Sequence, residues 1–370
     1  MSVDPSGSIP SFQRHGIHIK LERVGSEGMR GMIILGVESS CDETAAAVVE
    51  DGSRVLSDVV ASQAALHGPY GGVVPELASR KHVEAILPVL GEAMHEAGVT
   101  WGQVDAIAAT QGPGLVGALL VGLSAAKALA YALKKPMVAV NHLEGHIQAA
   151  FLGREELTRP FVCLVVSGGH TALYRVDPDG TTSFLGSTRD DAAGEAFDKV
   201  AKLLALGYPG GVEIERLAAG GDPHAFNFPR AFIDGRSLEF SFSGLKTSVA
   251  TFVRQHGPPS ESGEQGAYRL ADLLASFQEA VVEVLVNKTV RAAGMCSVGD
   301  IAVVGGVAAN LRLRERFEEE AGMHRFELHL PARRYCTDNA VMIAAAAYRT
   351  WKRSGFCLDP VDLDARSRWF

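Results

Sequence analysis

Phe161 to Val176 reads FVCLVVSGGHTALYRV. Six apolar residues, Phe161 to Val166, have the length and character of a buried strand, and Ala172 to Val176 forms a second one. Between them Ser167-Gly168-Gly169-His170-Thr171 is a tight polar turn, where backbone N–H groups can meet a phosphate or carboxylate with no Cβ in the way. The plan occurs earlier as strand Ile33–Val37, turn Glu38–Glu43 and strand Thr44–Val49. Two copies at the heads of successive halves predict a duplicated α/β domain with a cleft between the halves. The neighbouring sequence continues the alternation. A helix is expected over Pro75–Ala97, a strand over Asp105–Thr110, a helix over Leu115–Leu133 and a strand over Met137–Val140. In the second half a strand at Ile301–Val304 ends in Gly305-Gly306 and leads into a helix from about Asn310 to Ala321. Gly220 to Gly266 reads as largely irregular loops, and Thr337 to Lys352 as a closing helix with Thr337 or Asp338 as N-cap.

Composition narrows the class. The 370 residues are 47% hydrophobic and 21% charged, which excludes disorder and fibrous repeats and allows two domains. Lysine and arginine number 35 against 43 acids, a net charge of -8, so the chain as a whole is no polycation for coating nucleic acid or an anionic membrane. Cys41, Cys163, Cys296, Cys336 and Cys357 lie far apart without paired C-x-x-C spacing, as free thiols in a reducing compartment would. Residues 1–31 lack the apolar core of a secretory signal and read as a loose extension, or as codons upstream of a start at Met29 or Met32. Gly114–Leu133 has the length of a membrane span with Lys127 its single charge, but its Ala, Gly and Ser content favours a buried helix. A soluble, cytoplasmic protein with no membrane role is expected.

Several residue groups can carry chemistry. Asn141-His142-Leu143-Glu144-Gly145-His146 places two imidazoles four apart, on one face of a helix, where they can share a metal ion or remain a plain histidine pair. Glu144 is third rather than second in that run, so it is turned by roughly 100° from the general-base position of the zinc-protease motif. Asp338 is a candidate third ligand, with simple capping as its alternative role. Gly305 to Asn310 and Gly207-Tyr208-Pro209-Gly210-Gly211 are two further glycine-rich turns, and three such turns favour a nucleotide cleft. Gly112-Pro113-Gly114-Leu115-Val116-Gly117 matches the dinucleotide fingerprint, yet no Asp or Glu appears between Gly117 and Glu144 to hold a ribose. Asp42 and Glu43 stand in the first turn. Asp198 can serve a ligand or pair with Lys202 on a helix. Ser241 to Thr247 reads as a polar loop whose Lys246 can meet an anion, or as a structural loop.

Taken together, these segments resemble the tRNA N6-adenosine threonylcarbamoyltransferase family, the bacterial D component of threonylcarbamoyladenosine synthesis, once described as O-sialoglycoprotein endopeptidases. The resemblance runs from about Met32 to Lys352 and rests on Gly36–Thr44, Asn141–His146, Val165–Thr171, Gly194–Lys199, Tyr208–Gly211, Ser241–Thr247, Gly305–Asn310 and Cys336–Asn339. It implies an actin-like, sugar-kinase-like fold of two ribonuclease-H-like lobes around a central cleft. The expected lobes are 32–140, with the closing helix 338–355 packing back on it, and 141–337; residues 356–370 form a tail. The resemblance also implies that His142, His146 and Asp338 bind one divalent metal, iron first and zinc as the alternative. It assigns Val165, Val166, Ser167, Gly168, Gly169, Asp198, Gly211, Asn310 and, in part of the family, Glu215 to the adenylate. The implied reaction moves a threonylcarbamoyl group from threonylcarbamoyl-AMP to N6 of the adenosine beside the anticodon in tRNAs reading codons that begin with A. Asp42 or Glu43 is the expected proton acceptor. The implied partners are tRNA, a homologous B component and an ATPase E component. Arg312, Arg314, Arg316, Arg333 and Arg334 are candidate RNA contacts. Two rivals from other classes are a metal-dependent endopeptidase and a non-catalytic actin-like ATPase scaffold.

Overall fold

The computed structural model describes residues 31–153, 159–231, 235, 237–260, 268–355 and 362–368. The expected extension, Gly31 apart, and most of the tail lie outside the described residues.

The first half forms β1 (Ile33–Glu38), β2 (Glu43–Glu50), β3 (Arg54–Ser62), α1 (Ala64–His67), α2 (Pro75–Ala97), β4 (Ala106–Gly112), α3 (Val116–Leu133) and β5 (Met137–Asn141). The second contains α4 (His142–Ala149), β6 (Phe161–Val166), β7 (Thr171–Val176), β8 (Thr182–Ser187), α5 (Ala193–Leu203) and α6 (Gly210–Ala218). It continues through α7 (Ser243–His256), α8 (Leu270–Cys296), β9 (Asp300–Val304), α9 (Leu311–His324), β10 (Glu327–His329) and α10 (Ala340–Ser354). The sheets run β3-β2-β1-β4-β5 and β10-β9-β6-β7-β8. In each, the founding strand has an antiparallel hairpin on one side and a parallel crossover strand on the other. This repeated order is the duplicated ribonuclease-H-like plan, and the fold is actin-like.

Alternate residues of the founding strands face opposite layers, as the two-residue period of a strand requires. Leu35 and Val37 pack with Leu90 of α2 and Leu123 of α3, whereas Ile34 packs with Val341 and Ala344 of α10. In the second sheet Val162, Leu164 and Val166 face a core that includes Phe197 and Phe277, while Cys163 and Val165 face Ile147 of α4. Burying each such side chain stabilises the fold by about 1.5–3 kcal/mol. The last helix reaches its seat because Gly36 of β1 has no side chain: a Cβ there would lie 2.4 Å from the Ala340 carbonyl oxygen. A Cβ on Gly145 of α4 would likewise lie 2.9 Å from Ile343 of α10, so α4 and α10 adjoin.

Three local expectations need correction. The apolar span of the sequence is α3, which buries Ala118, Leu119, Leu123, Ala126 and Ala130 on one face only and leaves Val116, Leu120 and Tyr131 exposed. The closing helix starts at Ala340, not at 338, and its N-cap is Asn339, whose side chain accepts from the Met342 N–H. Asp338 is therefore free of capping. The irregular region contains α7, which buries Leu245 and Val249 one turn apart.

The start of α7 is held by Asp190, which lies outside the helix. Its carboxylate accepts from Ser241 Oγ at 2.5 Å, Phe242 N–H at 2.8 Å, Ser243 N–H at 3.3 Å and Ser243 Oγ at 2.7 Å. Burial opposes the charge, but these donors prevail and hold the carboxyl down at about 2. Asp190→Ala is expected to cost about 1–2 kcal/mol, seen as a lower urea midpoint at unchanged slope. The folded pKa lies below the unfolded one, so this increment is present above about pH 4 and fades as pH falls toward 2. An equal acid-side loss in the variant would show that Asp190 is not its source.

Candidate metal centre and ligand cleft

His142 and His146 come from α4 and Asp338 from the residues just before α10, so the two adjoining helices bring them together. Asn141 caps α4 by accepting from Leu143 N–H at 2.8 Å, and thereby sets the first turn that carries His142. Asp338 Oδ1 lies 3.5 Å from His142 Nε2 and 3.1 Å from His146 Nε2. One ligand atom from each residue falls within 4.8 Å of the others. His146 is 1% exposed; its Nδ1 has no hydrogen-bond partner, and its Nε2 faces the Asp338 carboxylate. Buried polar atoms without partners are costly. A cation bound between the imidazoles and the carboxylate would serve the two Nε2 lone pairs and Asp338 Oδ1 together, and two nitrogens with one oxygen suit a divalent iron or zinc ion.

The charges of the bare trio agree. Burial disfavours the Asp338 anion, but the neighbouring His142 and His146 hold its carboxyl well below the usual carboxylate range. Burial likewise opposes His142 protonation, and Asp338 with Glu38 overcomes it, raising the imidazole to about 9. Two carboxylates, Glu38 buried and Asp338 partly so, thus draw in positive charge, which a metal ion would supply in place of the proton. His170, named in the sequence only as part of a turn, is also in range: burial first, then the charges of His142 and His146, push it down to about 4. Its position in a glycine-rich turn was the one available signal.

The acid turn follows β1. Tyr208 donates to Asp42 Oδ2 at 3.3 Å from the opposite lobe, and Ser62 Oγ donates to Glu43 Oε1 at 3.1 Å. Burial, then the charges of Asp42 and Asp338, raise Glu43 to about 9. His82 of α2 supports the turn, with Nε2 3.0 Å from the Cys41 carbonyl and Nδ1 2.7 Å from Thr44 Oγ1.

The glycine turns converge. Gly194 opens α5 against the Ser167 loop, where an added Cβ would lie 2.6 Å from the Ser167 carbonyl and 2.8 Å from Gly168. Gly168 and Gly169 face open space, but the Ser167 N–H donates to the His170 carbonyl at 2.7 Å, so of the three amides only the glycines' remain for a ligand. Val165 and Val166 are buried strand residues, which restricts them to framing the turn through their main chain. Asp198 does not pair with Lys202; it accepts from Gly210 N–H at 2.8 Å, and Lys202 donates to the Tyr70 carbonyl at 2.9 Å. Burial raises Asp198 to about 6 against that hydrogen bond. Gly211 and Glu215 lie on α6, and Glu215 Oε2 accepts from Leu311 N–H at 2.9 Å. Asn310 caps α9 through its carbonyl and donates to Gln278 Oε1 at 2.8 Å, leaving one amide hydrogen free.

The remaining candidates have other partners. Glu144 lines a groove with Gln148, Arg349 and Arg353 instead of joining the trio. Arg312 pairs with Glu279 at 2.7 Å, Arg316 pairs with Glu320 at 3.4 Å, and Arg333 pairs with Glu215 at 3.5 Å. Arg314 donates to the Ala308 and Pro331 carbonyls, both at 2.7 Å, and Arg334 stacks on Tyr335. A second cluster, Asp300, Glu327 and His329, is closed by Arg159, which reaches Asp300 and Glu327 at 2.5 and 2.6 Å. Arg312, Arg316 and Arg333 thus share their charge with neighbouring acids, with Arg333 still 57% exposed.

Comparison with known proteins adds the remaining evidence. The solved structure of full-length HypF in its phosphate- and nucleotide-bound form superposes with a TM-score of 0.58 at 11% identity, over 88% of this chain and 48% of that one. Component A of the Acidaminococcus fermentans (R)-2-hydroxyglutaryl-CoA dehydratase gives 0.52 at 15% identity, over 86% and 98%. At such identities the likeness concerns fold alone. The family model TsaD, described as tRNA N6-adenosine threonylcarbamoyltransferase, matches residues 54–345. The protein of that name from Syntrophus aciditrophicus is 55% identical over 338 residues, 91% of this chain and 97% of its own length. Its namesake from an Anaeromyxobacter species is 55% identical over 345 residues, 91% and 99% of the two chains. The chain belongs to the tRNA N6-adenosine threonylcarbamoyltransferase family.

Proposed function

We propose that the protein transfers threonylcarbamoyl from threonylcarbamoyl-AMP to N6 of the adenosine 3′ to the anticodon in tRNAs reading codons that begin with A. The N6 nitrogen bonds to the carbamoyl carbon, the bond from that carbon to the phosphate oxygen breaks, and AMP departs with the electron pair. The observation that carries this reading is the cluster of two buried imidazoles, His142 and His146, around the Asp338 carboxylate, with His146 Nδ1 left without a partner. His142, His146 and Asp338 hold one divalent metal, iron first and zinc as alternative, and when bound it supplies Lewis-acid polarisation of a substrate oxygen. Gly168 and Gly169 offer amides to the phosphate, and Asp198, Gly211, Glu215 and Asn310 border the adenylate. Glu43, raised to about 9, keeps its proton near neutrality, which leaves Asp42 as the member of the pair that accepts the amine proton.

The metallopeptidase alternative is disfavoured because Glu144, the glutamate of the histidine run, lies in another groove. A scaffold without catalysis leaves the buried trio with no purpose. The expected B and E components fit two features. A net charge of -8, with α9 arginines paired internally, favours an RNA grip shared with other proteins. Exposed Val83 and Leu87 of α2 and Val116 and Leu120 of α3, each pair one turn apart, suit a protein partner. A cytoplasmic location accords with a tRNA substrate. The test is reconstituted transfer with synthetic threonylcarbamoyl-AMP, unmodified tRNA and partner proteins, read by nucleoside mass spectrometry. Metal-dependent appearance of the modified nucleoside is expected; its absence with folded, metal-loaded protein would favour the scaffold.

A further inference from the structure

The two histidines of the metal centre are held differently. His146 Nδ1 has no hydrogen-bond partner, whereas His142 Nδ1 lies 3.0 Å from Glu38 Oε2. Glu38 ends β1, is fully buried, and belongs to none of the residue groups assigned above to ligand, metal or proton transfer. Its remaining contacts are donors too: Ser40 N–H reaches Oε1 at 2.5 Å and Thr110 Oγ1 reaches Oε2 at 2.6 Å. An ionised carboxylate can only accept hydrogen bonds. The hydrogen of neutral His142 therefore sits on Nδ1, and the lone pair sits on Nε2, the atom that faces Asp338 Oδ1 at 3.5 Å. Ser40 Oγ, 3.2 Å from the same Nδ1, closes the ring's outer side.

We propose that Glu38 is the positioning residue of the metal centre, fixing the tautomer and ring plane of His142 so that Nε2 presents its lone pair to the ion. This rests on the reading of His142, His146 and Asp338 as metal ligands. Geometry and charge both favour it. Thr110 and Ser40 lock the carboxylate from two sides, so the imidazole is oriented by the centre of the first sheet and not only by its own helix. Two carboxylates, Glu38 fully buried and Asp338 mostly so, also balance the charge of one divalent ion when both histidines are neutral.

Glu38→Gln keeps the shape but replaces one acceptor oxygen with a donor NH2 facing groups that themselves donate. Loss of such an outer hydrogen bond typically weakens metal binding by about 10–100-fold. The experiment titrates metal-free protein with Zn2+ and Co2+ against a competing chelator, comparing wild type, Glu38→Gln, His142→Ala and the double variant, with circular dichroism to verify folding. A weakening of about 10–100-fold in Glu38→Gln, a changed visible Co2+ spectrum, and no further loss when the change is added to His142→Ala are the results expected. Thr110→Val, which is isosteric and keeps the carboxylate, should shift affinity and spectrum the same way by a smaller factor, and it carries the test should Glu38→Gln fail to fold. Wild-type affinity and spectrum in the foldable variant, or an equal loss with and without His142, would overturn the proposal while leaving the metal site intact. Wild type that binds no ion, or a His142→Ala variant that binds as wild type, would overturn the metal reading and this proposal with it.

Discussion

The His142→Ala, His146→Ala double variant is expected to purify without stoichiometric metal and to lose transfer by about 10³-fold, the factor that ~4 kcal/mol of lost charge stabilisation produces. The trio gathers acceptors and an unpartnered nitrogen in one place: His146 Nδ1 lacks a partner, and Asp338 Oδ1 sits within 3.5 Å of the Nε2 atom of both rings. Removing both imidazoles takes away two of three ligand atoms and the groups that keep the buried Asp338 ionised. The carboxyl then takes up a proton instead of remaining an isolated buried anion, so the fold survives while the site loses its affinity for cations. The Ser167 loop, α5 and α6 are untouched by the change, and AMP binding should stay near the wild-type value. Nucleoside mass spectrometry, elemental analysis and an AMP titration on one preparation check the three parts separately. Full turnover in metal-free double variant would remove the trio from the reaction.

Neutralising the acid turn carries the second large effect. Asp42→Asn with Glu43→Gln is expected to lower kcat by about 10²–10⁴-fold, the range of a lost general base, with binding of the adenylate preserved. The single variants should divide unequally. Glu43 is raised to about 9, so at pH 7 its carboxyl already carries a proton and glutamine mimics it; Glu43→Gln keeps most of the activity there and departs from wild type only above about pH 9, where the native side chain ionises. Asp42→Asn takes most of the loss. Tyr208, from one of the glycine-rich turns, donates to Asp42, so the proposed acceptor is also held from the second half of the chain. Single-turnover rates across pH distinguish these outcomes. Equal losses in the two singles at pH 7 would mean that the pair acts as a unit without a fixed acceptor, and unchanged single-turnover rates in the double variant would assign proton transfer elsewhere.

Much of the molecule was legible in the chain. The strand-turn-strand copies at Ile33–Val49 and Phe161–Val176 correspond to β1-β2 and β6-β7, and the helix over Pro75–Ala97 has the expected ends. These features follow from side-chain period and from glycine and proline punctuation, which act between residues close in sequence. The illegible parts have equally definite causes. α7 lay hidden in a stretch rich in Gly, Pro and Ser because its start is anchored by Asp190, a residue remote in sequence. Asp338 and Asn339 are both good capping types, and the side chain that turns back to the Met342 N–H is Asn339's.

Local sequence thus sufficed for the strands, most helices, the shared face of His142 and His146, and the turns in which glycines leave room for a ligand. Packing settled which groups meet. It set Asp338 against both imidazoles, turned Glu144 into a separate groove, paired Arg312 and Arg316 with acids, and placed Glu38 at the back of His142. The reason is physical: secondary structure is governed by interactions within a few residues, but the charge state and reach of a buried side chain depend on partners that only close packing of the two sheets with α4 and α10 brings within hydrogen-bonding distance.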